Sequence, residues 1–182
     1  MCINKTEINY YKSLNKITHQ NSAVLFGSTF AKEIPVSELR QNFGIVSHIY
    51  NRSLTDLSVF EASDIAKDII NEINPSKILI QLGETDLASG KVSSDEVISE
   101  ISNIINTARN SNRKMKIILI SINNLLDKNL QTEFNRKLEV LANNSKCVYA
   151  DIGNENKEDT LHINVFKSLS YFFTDDITAQ LY

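Results

Sequence analysis

The sequence predicts a single domain, residues 1–182, in which helices cover both faces of a five-stranded parallel β-sheet in a three-layer α/β/α arrangement. Two observations lead to this fold class. Five short apolar segments alternate along the chain with longer segments in which apolar residues recur every three or four positions, as in helices that bury one face. The short segments are largely apolar and do not alternate regularly with polar residues, as expected for strands that are covered on both faces.

The first predicted strand ends in a sharp turn. It is the apolar run 23–27, which stops at Gly27 and is followed by two hydroxyl residues. The other strands are predicted at residues 45–50, 77–82, 115–122 and 147–151. Right-handed crossovers restrict the topology but do not give the order of the strands. Parallel strands bring their carboxyl ends to one edge of the sheet, where the ligand sites of such folds lie.

Six helices are predicted around these strands, and the first of them extends the domain at its amino end, within residues 1–20. The others lie near residues 35–44, 58–74, 94–108, 130–141 and 165–173. Ser58 and Ser93 are each followed three positions later by a glutamate, Glu61 and Glu96. This is the spacing of a capping box, in which serine and glutamate side chains bond the first backbone N–H groups of a helix.

Composition and charge exclude several classes of protein. The chain is 42% hydrophobic and 23% charged, with a net charge of -3 and no basic block, so no nucleic-acid partner and no anionic membrane surface is expected. Neither of its two cysteines, Cys2 and Cys147, belongs to a C-x-x-C pair, so neither a zinc site nor a disulfide framework is expected. The chain shows no apolar run long enough for a membrane span, and its amino terminus is polar. Both observations favour a cytoplasmic protein.

Four small polar clusters follow predicted strands or lie near the carboxyl end of the chain. They are Gly27-Ser28-Thr29, Asn51-Arg52-Ser53, Gly83-Glu84-Thr85-Asp86 and Asp159-Thr160-Leu161-His162. Acyl transfer needs a hydroxyl nucleophile, a histidine base, an acid that orients the base and donors for the oxyanion. The four clusters contain residues of each type, and Asp159 lies three positions before His162, a spacing that allows a carboxylate to meet the imidazole within one turn.

The order and spacing of these clusters resemble the conserved blocks of the SGNH (GDSL-type) hydrolases, a family of esterases and lipases with a flavodoxin-like sheet. The blocks of that family read Gly-Asp-Ser, Asn-Arg-Gly, Gly-x-Asn-Asp and Asp-x-x-His. The resemblance runs from residue 23 to about residue 170 and implies the same three-layer fold. In this chain Thr29 stands at the serine of the first block, Ser53 at the glycine of the second and Thr85 at the asparagine of the third.

The resemblance implies roles for the catalytic residues. His162 is the expected base and Asp159 the acid that orients it. Thr29 stands in the register of the family nucleophile, whereas a shift of one residue makes Ser28 the nucleophile, and the sequence does not choose between them. The alternative interpretation is structural, because Ser28 and Thr29 are also suited to cap the helix that follows, and Asp159 to cap the last helix.

The resemblance also implies the residues around the reacting atoms. The backbone N–H of Ser53 and the hydroxyl of Thr85 are expected to hold the oxyanion, and Asn51 and Asp86 are expected to support the site through hydrogen bonds. Thr85 offers a single hydroxyl donor on a side chain shorter than asparagine. A purely structural alternative for Thr85 is a hydrogen bond to the backbone of its turn.

Two functions are therefore predicted from the sequence. The first is hydrolysis of short acyl esters, such as acetyl esters, on a small molecule or an acylated carbohydrate or lipid. The second is a binding or structural module that kept the fold with impaired catalysis. A nucleotide-binding protein is disfavoured because the chain contains neither a P-loop nor a dinucleotide-binding motif, and no cofactor and no metal site are predicted.

Overall fold

Five parallel strands form the sheet at the centre of the molecule, as predicted. The structure is a computed structural model that describes residues 5–123, 125–152 and 163–174. Within these ranges the strands are β1 (Ala23–Gly27), β2 (Ile49–Asn51), β3 (Lys77–Gln81), β4 (Lys116–Ile120) and β5 (Val148–Ala150). Every neighbouring pair is parallel, and the order in the sheet is β2-β1-β3-β4-β5. This order is the flavodoxin-like one, in which the chain switches direction between β1 and β3.

The helices lie between the strands, as the apolar periodicity predicts. In the described part of the chain they are α1 (Lys5–Asn15), α2 (Thr29–Glu33), α3 (Val36–Asn42), α4 (Val59–Ile73), α5 (Glu84–Ala88), α6 (Ser94–Ser111), α7 (Lys128–Asn144) and α8 (Ile163–Phe173). The two five-residue helices, α2 and α5, follow β1 and β3 directly and are absent from the sequence prediction. Among the helices of the described ranges, none has the length and apolarity that crossing a bilayer requires.

Two apolar cores, one on each face of the sheet, give the molecule its three layers. Alternate residues of each central strand point to opposite faces, so Val24 and Phe26 enter one core while Leu25 enters the other. The first core joins the sheet to α4, α6 and α7, and the second joins it to α2, α3 and α8. Because both faces are covered, β1 and β3 are buried along their whole length, which explains the apolar runs at their centres.

The carboxyl ends of β1 and β3 approach closely because residue 27 is glycine. A Cβ atom at Gly27 would lie 2.3 Å from the carbonyl oxygen of Gln81 on β3 and 2.7 Å from the Cβ of Ala31. Only a residue without a side chain fits between β3 and α2 at this point. This contact brings the residues that follow β1 next to the residues that follow β3.

Strand β2 is shorter than predicted. The sequence predicts a strand over 45–50, whereas sheet pairing begins at Ile49, opposite Ala23. The preceding segment bonds to α3 instead, because the Ile45 N–H donates to the Arg40 carbonyl and the Arg40 side chain donates to the Ser47 carbonyl. These bonds hold residues 45–47 against the helix, and the first bond to β1 is the one that the Ala23 N–H donates to the His48 carbonyl.

One of the two predicted capping boxes forms. At α6, Ser93 accepts from the Glu96 N–H and the Glu96 side chain accepts from the Ser93 N–H. At α4, the Ser58 hydroxyl accepts from the Phe60 N–H and donates to a carboxylate outside the helix, that of Asp86. A distant partner therefore takes the place that the sequence pattern assigns to the glutamate of this helix.

Candidate active site

Two hydroxyls meet where β1 and β3 end. Ser28 directly follows β1, and Thr85 lies in α5 after β3. The distance between Ser28 Oγ and Thr85 Oγ1 is 2.8 Å, so the two side chains share a hydrogen bond across the switch point of the sheet. Ser28 is only 2% exposed, and although it stands before α2 its side chain makes no capping hydrogen bond. Ser28 therefore does not cap α2 through its side chain, although the sequence allows that role.

The hydroxyl of Thr29 has a different partner, Asp56. Thr29 is the first residue of α2 and is partly exposed. Its Oγ1 accepts the backbone N–H of Asp56 at 3.0 Å and donates to Asp56 Oδ1 at 3.2 Å. Two bonds from one residue hold this hydroxyl in a defined position at the carboxyl edge of the sheet.

Asp56 is a site residue that the sequence analysis does not identify. Its φ of 53° lies in the left-handed region, which aspartate tolerates better than most residues. In this backbone conformation the Asp56 N–H donates a hydrogen bond to the Thr29 hydroxyl. The only signal in the sequence is a polar residue soon after the second cluster, and such a residue is common in any loop.

These residues line an open pocket of about 330 Å³. Its wall in the described ranges consists of Ser28, Thr29, Phe30, Asp56, Glu84, Thr85 and Ala88. The size is that of a small ligand site, and the wall combines hydroxyls, a backbone donor and two carboxylates with the apolar side chains of Phe30 and Ala88. Among the described residues, no three histidine, cysteine, aspartate or glutamate side chains converge as metal ligands would.

Ser53 and Asn51 hold the loop after β2 through hydrogen bonds beside the pocket. Ser53 is fully buried, its N–H donates to Asn51 Oδ1 at 3.0 Å, and its carbonyl accepts the Tyr11 hydroxyl. The Asn51 amide in turn donates to the Ala31 carbonyl of α2 at 2.8 Å. The loop after β2 is thereby tied to α2. In this arrangement the N–H of Ser53 is bonded within the protein, and the N–H beside the Thr29 hydroxyl is that of Asp56.

Asp86 connects α5 to the amino end of α4. Its Oδ1 accepts the Ser58 hydroxyl at 2.5 Å and its Oδ2 accepts the Val59 N–H at 2.9 Å, while the side chain is buried. A carboxylate at a helix amino terminus is stabilised by the helix dipole and by the unpaired N–H groups there. Asp86 thus fixes the segment that carries Thr85.

Asp159 and His162, the predicted acid and base, lie outside the described residues. In the sequence, His162 immediately precedes Ile163, the first residue of α8. The structure therefore brings together Ser28, Thr29 and Thr85, adds Asp56, and leaves the predicted acid and base as expectations from the sequence.

Several solved structures are similar to this chain. A candidate platelet activating factor from Streptococcus pneumonia superposes with a TM-score of 0.74 at 18% identity, over 93% of this chain and 92% of that one. The SGNH-hydrolase family esterase AlinE4 superposes with a TM-score of 0.60 at 20% identity, over 73% of this chain and 76% of that one. The acetyl xylan esterase AlAXEase superposes with a TM-score of 0.63 at 12% identity, over 72% of this chain and 77% of that one.

Comparison of sequences alone gives no match. No protein-family model matches the chain, and no curated protein does. At the low identities above, the solved structures show the fold and not the chemistry. The chain therefore has the three-layer fold of the SGNH-type hydrolases, with its pocket where the carboxyl ends of β1 and β3 meet.

Proposed function

We propose that the protein is an ester hydrolase that acts by acyl transfer from Thr29. One observation carries the proposal: the Thr29 hydroxyl lies in an open pocket at the switch point of the sheet, with the backbone N–H of Asp56 at 3.0 Å. Attack by this hydroxyl would form the oxyanion next to Thr29 Oγ1, within reach of the same N–H, and the proposal assigns that N–H as a donor to it. The likeness to esterases of the same fold supports this assignment.

Thr29 is a better nucleophile candidate than Ser28 because of its surroundings. Ser28 is 2% exposed and its hydroxyl is bonded to Thr85 at 2.8 Å. Thr29 is partly exposed on the pocket wall. In the proposal, Ser28 orients the hydroxyl of Thr85, and Thr29 attacks the ester.

Two donors are assigned to the oxyanion in this proposal. The first is the backbone N–H of Asp56, which replaces that of Ser53 because the Ser53 N–H is already bonded to Asn51. The second is the Thr85 hydroxyl, which can turn its proton towards the pocket while it accepts from Ser28. The loss of one such donor costs about 10²- to 10³-fold in rate.

The chemistry follows the usual course of acyl transfer. Thr29 Oγ1 bonds to the carbonyl carbon, its proton passes to His162, and the carbonyl electrons move to the oxygen that becomes the oxyanion. The oxyanion collapses, the bond to the alcohol breaks, and His162 returns the proton to the departing alkoxide. Water then attacks the acyl-threonine in the same way and releases the acid. Asp159 holds the imidazole in the correct tautomer throughout.

The proposed substrates are short acyl esters, acetyl esters first, on a small molecule or an acylated carbohydrate or lipid. A pocket of about 330 Å³ suits a short acyl group with part of its alcohol. The acetyl xylan esterase of similar fold supports an acetylated carbohydrate as one such substrate.

The test is hydrolysis of p-nitrophenyl acetate by a matched pair of Thr29 variants. Thr29→Val keeps the shape of the side chain but has no hydroxyl, so kcat/KM falls about 10³-fold or more, as it does for His162→Ala. Thr29→Ser keeps the hydroxyl without the methyl group and retains activity. Turnover that neither Thr29→Val nor His162→Ala reduces would contradict this assignment.

A ligand-binding module is the second candidate, and one observation favours it. All three pocket hydroxyls are bonded to other protein groups, those of Ser28 and Thr85 to each other and that of Thr29 to Asp56. In a binding module these bonds would persist and no acyl-enzyme would form. Lack of turnover on a panel of acetyl, butyryl and octanoyl esters, with binding of an acetylated sugar measured by calorimetry, would support this candidate.

A further inference from the structure

The side chain of Asp56 places a carboxylate beside the hydroxyl and the N–H that the proposed reaction uses. Its Oδ1 accepts the Thr29 hydroxyl at 3.2 Å, and its own N–H donates to the same oxygen. Asp56 also lines the pocket together with Thr29 and Thr85. An oxyanion that accepts a hydrogen bond from the Asp56 N–H therefore lies within a few ångströms of the carboxylate of the same residue.

The described surroundings do not neutralise this carboxylate. Within ranges 5–123, 125–152 and 163–174, the ion pairs of the lysines and arginines do not include Asp56. The ammonium group of Lys32 bonds the Glu7 carboxylate and the hydroxyl of Thr55, the residue before Asp56. The other charged residue of the described pocket wall is Glu84, which is also acidic.

We infer that Asp56 limits both the rate and the substrate range of the site, an inference that rests on the proposed function. Its carboxylate holds the Thr29 proton in the resting state, so this bond must break before Thr29 attacks. Its negative charge opposes the oxyanion, because two like charges about 4 Å apart repel even in water. The same charge disfavours esters that carry a carboxylate or a phosphate and favours neutral or cationic ones.

The substitution Asp56→Asn separates charge from shape. Asparagine keeps the backbone N–H, accepts the left-handed φ and still offers Oδ1 to Thr29. We expect kcat/KM for p-nitrophenyl acetate to rise about tenfold. We expect a larger rise for mono-p-nitrophenyl succinate, whose acyl group carries a carboxylate. Asp56→Gly, which also suits a positive φ, repeats the measurement should the asparagine variant fail to fold.

Asp64→Asn is the matched control. Asp64 is exposed on α4 and does not line the pocket, so this change removes the same charge from the chain at a distance from Thr29. Activity on both esters should stay within twofold of the unmodified protein. A rise as large as that of Asp56→Asn would mean that net charge, and not the position of Asp56, sets the effect, and would overturn the inference.

Binding of methylphosphonate, a tetrahedral anion, tests the inference without turnover. Calorimetry should show about tenfold tighter binding to Asp56→Asn than to the unmodified protein. Unchanged or weaker binding, or slower ester hydrolysis by Asp56→Asn, would overturn the inference, since slower hydrolysis would make the carboxylate a proton acceptor. Tighter binding without turnover by any variant would support the effect of the Asp56 charge and contradict the proposed hydrolase.

Discussion

Adjacent residues at the end of β1, Ser28 and Thr29, carry the same functional group in different surroundings. The Ser28 hydroxyl is buried against Thr85, and the Thr29 hydroxyl faces the pocket beside Asp56. A hydroxyl held by a neighbour inside the protein is suited to orient that neighbour. The hydroxyl of a partly exposed residue such as Thr29 is suited to meet a substrate. Roles at this scale are therefore assigned by exposure and partners, not by residue type.

Thr85→Val tests the assignment of Thr85 as an oxyanion donor. Valine keeps the branched shape and removes the hydroxyl, so we expect kcat/KM for p-nitrophenyl acetate to fall about 10²-fold, whereas the free energy of unfolding changes by only about 1 kcal/mol. The double variant with Ser28→Ala should fall little further than Thr85→Val alone, because Ser28 acts through Thr85. Fully additive losses would show that the two hydroxyls act independently.

Asp86→Ala tests the link between α5 and α4. The change removes the acceptor of the Ser58 hydroxyl and the Val59 N–H, and leaves both donors without their partner in a buried place. We expect a loss of about 2–4 kcal/mol in the free energy of unfolding, measured with urea. Asp64→Ala on the exposed face of α4 is the control, with an expected change of about 0.5 kcal/mol or less. Equal effects of the two variants would contradict this role for Asp86.

At the scale of the elements, the site depends on how closely β1 approaches β3. Gly27 faces the Gln81 carbonyl, and the N–H of Ser28 donates to that same carbonyl at 3.2 Å. The helices α2 and α5 begin two and three positions after these strands end, so the distance between the strands sets the distance between the first turns of the helices. Thr29 and Thr85 are positioned by this strand pair.

Gly27→Ala should damage both stability and activity. The new Cβ would lie 2.3 Å from the Gln81 carbonyl oxygen, so β1, β3 or α2 must shift. We expect a destabilisation of about 3 kcal/mol or more by urea unfolding. Gly90→Ala is the control, since Gly90 has a φ of 66° but open space around it, and should cost about 1 kcal/mol. A Gly27→Ala variant as stable as Gly90→Ala would contradict the close approach.

Stability at the edge of the sheet should depend on the protonation of His48. His48 stacks on His19 with ring centroids 4.0 Å apart, just before β2. Loss of solvation lowers the pKa of His48 from 6.5, and the charges of His19 and Arg40 lower it further. The folded state therefore takes up the proton less readily than the unfolded state. The stability that His48 contributes is present above about pH 6.5 and is lost as the pH falls through its folded pKa.

An NMR titration of the ring protons measures this pKa directly. We expect His48 to titrate below 6.5 and His48→Gln to lose less stability than the unmodified protein between pH 7 and pH 5. A His48 pKa at or above that of an unfolded peptide would contradict the account of this edge. An identical pH dependence of the two proteins would contradict it as well.

At the scale of the whole molecule, apolar periodicity is enough to predict the layers and most elements. The run 23–27 and the stripe of α6 are patterns of a few neighbouring residues, and each element formed where its pattern lies. The start of β2 was misplaced because a side-chain bond from Arg40 to the Ser47 carbonyl, which the apolar pattern does not reveal, competes with the sheet. The strand order, which places β3 beside β1, follows from packing and not from any local pattern.

The candidate site was less predictable than the fold. Ser28, Thr29 and Thr85 were identified because they directly follow strands, and the structure brings them together. Asp56 was missed because its contribution depends on a backbone N–H and a left-handed φ, and the residue type predicts neither of them. Ser53 was chosen from the order of residues in its cluster, whereas hydrogen bonding within the loop commits its N–H to Asn51.

The site of covalent labelling tests the central claim most directly. A fluorophosphonate reacts with the activated hydroxyl of a serine-type hydrolase, and mass spectrometry of the digested protein identifies the modified residue. The account predicts an adduct on Thr29, its absence in Thr29→Val and its retention in Thr29→Ser. An adduct on Ser28, or ester turnover with no adduct at either residue, would contradict the account.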